Sequence, residues 1–268
     1  MVQAHRDVFA ILHGARRIWA VASIHGECER LKSLHGQLGQ ALEPGDRIVY
    51  LGNYLGHGVQ VRDTMDELVR FRRRFLARGW TRVCEIAHLR GAQEEMWAKL
   101  LQLQFATDPR QVLGWMLSHG VETTLRAYGA SGERGMAAAR EGVMAITRWT
   151  NQLRAQLKEA PGHDPFLASL RRAAYTEDGR LLFVHAGVDV SRPVTTQSDS
   201  LWWGGGRFQE INEPYGDFVM IVRGFDPQRP GALVGPYTTT LDAGSGFGGP
   251  LIAGCFDADG KLIGVLEA

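Results

Sequence analysis

Cysteine is scarce and net charge is almost absent in this chain. The three cysteines, Cys28, Cys84 and Cys255, are odd in number, far apart and never in a C-x-x-C spacing. That excludes a disulfide framework and a zinc knuckle, and it fits a reducing compartment. Thirty basic residues stand against 29 acidic ones, a formal charge of +1, so there is no electrostatic footprint for nucleic acid or an anionic membrane. The basic run Arg72-Arg73-Arg74 reads as a solvated helix face. No apolar run approaches the roughly 18 residues of a membrane span, and Met1 to Arg17 lacks a charged region followed by an apolar core. The expectation is a cytoplasmic protein that engages neither nucleic acid nor membrane.

What is present is ordinary globular material: 268 residues, 44% hydrophobic and 22% charged, enough to bury a substantial core in one α/β domain. Ile18 to Ser23 reads as a buried strand, and Leu31, Leu34 and Leu38 after it recur at helical spacing. Asp46 to Leu51 is a second strand, followed by an amphipathic helix from Val61 to Arg78 with Met65, Leu68, Val69, Phe71 and Phe75 on its apolar side. A third strand, Arg82 to Ala87, leads to a helix from about Gln93. Repeated strand-loop-helix units predict a sheet covered by helices.

From Met96 to about Tyr175 the pattern is helical, with breaks at Asp108-Pro109, Gly129 to Gly135 and Pro161-Gly162, and it reads as a helical insertion. Strands return at Leu181 to His185 and Phe218 to Val222. The end of the chain, Thr238 to Glu267, is Gly-rich and β-like, with a hairpin turn at Asp257-Ala258-Asp259-Gly260.

The loops after these strands carry a recurrent frame. They read Ala22-Ser23-Ile24-His25-Gly26, Leu51-Gly52-Asn53-Tyr54-Leu55-Gly56-His57-Gly58, Leu89-Arg90-Gly91-Ala92-Gln93-Glu94, Phe183-Val184-His185-Ala186-Gly187 and Val222-Arg223-Gly224-Phe225-Asp226-Pro227. The set resembles the PPP-type calcineurin-like metallophosphoesterases, the group of serine/threonine protein phosphatases and diadenosine tetraphosphatases, whose loops read GDIHG, GDYVDRG, LRGNHE, FVHAG and VxGHTP. Trp202 to Phe208 is similar to the family's LWxRxRF, and Asp242-Ala243-Gly244 with Gly248-Gly249-Pro250-Leu251 to its DTG and GGPL. The resemblance runs over nearly the whole chain. It implies a four-layer α/β/β/α metallophosphatase sandwich of two mixed sheets.

The same comparison implies that the chemistry has been removed. Metal-assisted phosphoester hydrolysis needs carboxylate and imidazole ligands around two cations roughly 4 Å apart. Of the family's ligand positions His25 and His185 survive, while Ser23, Asn53, Ala92 and Phe225 stand where ligands should be. Gly56 replaces the catalytic-site Asp, His57 the phosphate-binding Arg, and Gln93 the general-acid His. Two divalent cations about 4 Å apart repel by roughly 17 kcal/mol at an effective dielectric of 20, and no carboxylate is left in the ligand set to offset it. The resemblance therefore points to a pseudophosphatase that acts by binding a partner protein or a phosphorylated ligand, with no cofactor expected. The competing class is an active phosphoesterase with a rebuilt site.

Several residues carry two readings. His25, Asn53 and His185 are vestigial, or they hold one weak divalent ion, manganese, iron or zinc, with help from His57 or Asp226. His25, His57, Arg90, His185 and Arg223 form a candidate metal-free anion pocket, because donors remain once the acids are gone. Gly244-Ser245-Gly246-Phe247-Gly248-Gly249 matches GxGxxG in form only, since too little chain follows for a dinucleotide-binding unit, and it reads as a turn. Trp202-Trp203 reads as packing against the sheet or as a partner anchor. Ser23 lies in no nucleophile elbow.

Overall fold

The structure is a computed structural model and describes residues 8–79, 81–82, 85–205 and 207–268. Two mixed sheets make its centre. The first has five strands: β2 (Arg17–Val21), β3 (Asp46–Tyr50), β4 (Ile86–His88), β10 (Ile252–Asp257) and β11 (Leu262–Glu267), in the order β11-β10-β2-β3-β4. Parallel pairs β2/β3 and β3/β4 follow from the helical crossovers between them, while β10 runs antiparallel to β2 and closes on β11 as a hairpin. The hairpin turns where expected, with Gly260 at φ +85°.

The second sheet has six strands: β1 (Phe9–Leu12), β5 (Ala173–Thr176), β6 (Leu181–Val184), β7 (Met220–Arg223), β8 (Gly231–Val234) and β9 (Thr238–Asp242), in the order β1-β5-β6-β7-β9-β8. The sheets face each other across one apolar core, in which Phe183 of β6 meets Phe256 of β10 edge-on at 6.1 Å. Central strands such as β3 and β6 are buried along their whole length, so Leu181–Val184 is a continuous apolar run and β3 is apolar from Ile48 to Tyr50, with its buried Asp46 paired to Arg17.

Helices α1 (Cys28–Ala41) and α2 (Val61–Leu76) cover the outer face of the five-stranded sheet. Leu31, Leu34 and Leu38 of α1 and Met65, Leu68, Phe71 and Phe75 of α2 point inward. After α3 (Ala92–Leu100) come α4 (Pro109–Ser118), α5 (Val121–Ala127), α6 (Gly132–Glu141), α7 (Val143–Glu159) and α8 (His163–Ala168). Asp108 caps α4, accepting the Gln111 amide at 3.0 Å with Pro109 in the first turn, and Ser131 caps α6. The outer face of the second sheet is covered more thinly, by the described residues of the segment 188–218, among which the one α-helix is the four-residue α9 (Ser200–Trp203).

Two expectations need correcting. The helical region ends at Ala168, and Ala173–Thr176, which the insertion was expected to include, is a strand paired in parallel with β1. Alanine-rich and only four residues long, it has no period that separates it from a helix end. The third strand is Ile86–His88, shorter and later than Arg82 to Ala87; part of that expected stretch, with Cys84, lies outside the described residues.

Candidate functional site

The five loops converge at one end of the two sheets. Ser23 donates its amide to Gly224 O at 3.0 Å, His25 donates to Asn53 O at 2.6 Å, and Gly58 donates to His25 O at 2.7 Å. The amides of Gly224 and Phe225 both donate to His185 O at 3.0 Å. Three non-glycine residues here, His25 (φ +54°), Asn53 (+53°) and His57 (+45°), hold left-handed backbone, which costs about 1–2 kcal/mol each.

One carboxylate holds the second loop together. Glu94, on the first turn of α3, accepts Gly91 and Asn53 amides at 2.8 and 2.9 Å on one oxygen and Tyr54 and Leu55 amides at 2.8 and 3.0 Å on the other. Burial nevertheless raises its pKa above the ordinary value, and the four N–H groups only partly oppose that. Thr124 of α5 accepts the Gly56 amide at 3.1 Å, so the helical region braces the same loop.

The side chains in the middle form an aromatic plug. Phe225 stacks on His185, ring centroids 5.4 Å apart and planes 12° apart. Phe247, from the glycine-rich turn between β9 and β10, packs at 5.3 Å from His25 and 4.3 Å from His57, and the Arg229 guanidinium lies 3.6 Å over the Phe247 ring. His25 and His57 meet edge-on at 4.9 Å. Gln93 reaches the His119 carbonyl at 2.8 Å and His57 Nε2 at 3.4 Å.

The hydrogen bonds assign the tautomers. Asn53 Nδ2 donates to His25 Nε2 at 3.2 Å, while Asn53 Oδ1 accepts the Gln93 amide at 3.0 Å. His185 Nδ1 donates to Leu51 O at 2.7 Å, leaving Nε2 as a bare buried nitrogen with no partner. His25 Nδ1 makes no well-formed hydrogen bond, although the Leu55 carbonyl acts on it electrostatically, and Ser23 Oγ is also unpartnered. Burial depresses all three imidazoles: His185 to about 4, His25 well below its ordinary value with His57 and His185 adding to the effect, and His57 with Arg229 and His119 adding. At neutral pH they carry no charge.

These positions bear directly on the candidate residues. His25, Asn53, His57 and Gln93 come together, and His185 stands against Phe225. Ala92 and Gly56 are buried and bring no donor side chain. Arg90 pairs with Glu95 at 3.2 Å. Arg223 is buried, bonded to Asp226 and to Thr240 Oγ1 at 2.8 Å, and lies 4.3 Å over Phe208; burial lowers its pKa while Asp226 and Asp242 oppose that. Asp226 is itself committed, to Arg223 and to the Gln228 amide at 2.9 Å. No group of three or more His, Cys, Asp or Glu among the described residues is placed to hold a metal ion. The donor set, neutral imidazoles and an amide with no free carboxylate, does not fit the family's dinuclear centre.

The plug was not foreseen. Phe247 comes from a segment read as a turn, Arg229 from one for which there was no expectation, and Glu94 was seen only as part of the motif frame. Trp202 is buried with Arg172 over its ring at 5.5 Å, whereas Trp203 is partly exposed and meets Trp115 at 5.5 Å.

No family model matches the chain, and no curated protein sequence matches it. Solved structures do. A candidate diadenosine tetraphosphatase superposes with a TM-score of 0.56 at 18% identity, covering 98% of each chain. A cold-active protein-tyrosine phosphatase of a psychrophilic Shewanella species gives 0.51 at 13% identity, over 97% of this chain and 81% of the other. A serine/threonine phosphatase from Saccharomyces cerevisiae gives 0.50 at 11% identity, over 97% and 82%. At such identities the likeness establishes the fold: the chain has the calcineurin-like, PPP-type metallophosphoesterase sandwich.

Proposed function

We propose that this protein is a pseudophosphatase, a metallophosphoesterase fold that no longer hydrolyses phosphoesters and works by binding. The observation that carries the reading is the packing of Phe225 flat on His185, because it fills with hydrocarbon the space beside the one ligand nitrogen left bare. The neutral state of His25, His57 and His185 supports it, as does the commitment of Arg223 to Asp226 and Arg90 to Glu95. Between the two kinds of binder, this balance favours a protein partner over a phosphorylated ligand in the old cleft, since Arg90 and Arg223 already face carboxylates and the exposed Arg229 lies over the Phe247 ring. The reading keeps the protein in the cytoplasm.

The unpartnered His185 Nε2 and Ser23 Oγ favour a second reading, one weakly held divalent ion in an active phosphoesterase. Metal content after purification, then hydrolysis of a generic phosphomonoester with added manganese, separates the two. The expected result is substoichiometric metal and no turnover. Stoichiometric tight metal with turnover abolished by His185→Ala overturns the proposal.

A further inference from the structure

On the outer helical layer, away from the plug, α1 and α2 leave a groove of about 400 Å³ between them, lined among others by Lys32, Gly36, Glu67, Arg70, Arg74 and Arg78. Its floor is apolar: Phe71 and Phe75 are buried, and His35 stacks on Phe71 at 3.8 Å. Its rim is cationic. Arg70 and Arg74 are more than half exposed and each gives one nitrogen to the same buried carboxylate, Glu67, at 2.8 and 2.9 Å. Glu67 also accepts from His35 at 2.7 Å, and Tyr50 meets His35 Nε2 at 2.8 Å beneath it. Arg78 donates to Gly39 O at 3.4 Å, and Lys32 pairs with Glu29. Two exposed guanidinium groups thus share one buried carboxylate at the rim, and their forked geometry keeps further donors directed outward.

We infer that the groove between α1 and α2 binds an extended acidic segment of a partner protein, with carboxylates on the arginine rim and one apolar side chain over Phe71 and Phe75. Charge complementarity selects this occupant: Lys32, Arg70, Arg74 and Arg78 line the groove together with the buried carboxylate of Glu67. Gly36 and Gly39 fit the same use. Each costs the helix about 1 kcal/mol relative to alanine, yet neither has a positive φ, and a Cβ at Gly36 would meet nothing within 4 Å. Neither fold geometry nor close packing requires glycine at Gly36; an open groove does. The inference holds whether or not the old cleft is inert.

The test titrates a fluorescein-labelled peptide of Glu and Asp with one central Leu, followed by anisotropy at low salt. The control peptide has Gln and Asn in place of the acids. The acidic peptide should bind and the control should not, and added salt should weaken binding. Arg70→Gln with Arg74→Gln should reduce affinity about tenfold or more. Because that pair also removes partners of buried Glu67, Gly36→Met supplies the second arm: it fills the groove and improves helix propensity, so affinity should fall while the unfolding midpoint rises. Equal binding of the two peptides, or affinity unchanged in both variants, overturns the inference. So does tighter binding to anionic phospholipid vesicles or duplex DNA than to the acidic peptide.

Discussion

Glu94→Gln should destabilise the protein by about 3 kcal/mol and do so at one identifiable place. The Glu94 carboxylate accepts four buried backbone N–H groups, from Gly91, Asn53, Tyr54 and Leu55. A glutamine of the same shape offers one carbonyl oxygen, enough for two of them, and sets an NH2 group against the other two. Two buried unpaired amides at about 1–3 kcal/mol each give a loss of roughly 2–6 kcal/mol. Against this, burial already works against the ionised form of Glu94, and removing that penalty places the net near the lower half of the range. Urea denaturation measures the total, and hydrogen exchange at the four amides locates it. An unchanged midpoint with undiminished protection at those amides would refute the reasoning.

Three further outcomes follow from the same geometry. Stability should fall with acid from pH 6.5 to 4: His185 is held neutral with a pKa of about 4, so the unfolded chain binds more protons in that window, worth about 3 kcal/mol. His88, depressed to about 3, extends the fall below it, and His185→Leu should flatten the upper part of the denaturation-midpoint profile. Asp226→Ala should cost about 3–5 kcal/mol by leaving Arg223 buried without its partner, read by thermal unfolding, and Arg223→Met in the same chain should restore much of it. Gly224→Ala should cost about 1–3 kcal/mol as overpacking, since its Cβ would sit 2.2 Å from Leu51 Cβ; a smaller cost of the same change in a Leu51→Gly background, which lacks that Cβ, identifies the clash.

The strands that present the loops were legible because each is a buried run long enough to stand out, as in Asp46–Tyr50 and Leu181–Val184. The four-residue strands β1, β5 and β8 were not, since two are edges and the third is alanine-rich, and none has a period of its own. At the site, the lost ligands could be read position by position from the loop frame, and the loops do converge. What replaces the ligands could not. Phe247 meets His25 across more than two hundred residues of chain, and nothing local to a glycine-rich turn says that its one aromatic side chain fills a cleft. Glu94 was visible as a matching letter, but its four amide partners lie mostly on another loop.

The left-handed backbone at His25, Asn53 and His57 has a consequence for redesign. These residues keep a strained conformation that turn-forming glycine would hold more cheaply, and the bonds from Glu94, Gly58 and Gly224 prevent its relaxation. The loops thus behave as a rigid mould whose contents have been exchanged. New side chains placed at Ser23, Asn53, Ala92, Gln93 and Phe225 would be displayed from fixed backbone positions, so the cleft is a prepared template for installing chemistry.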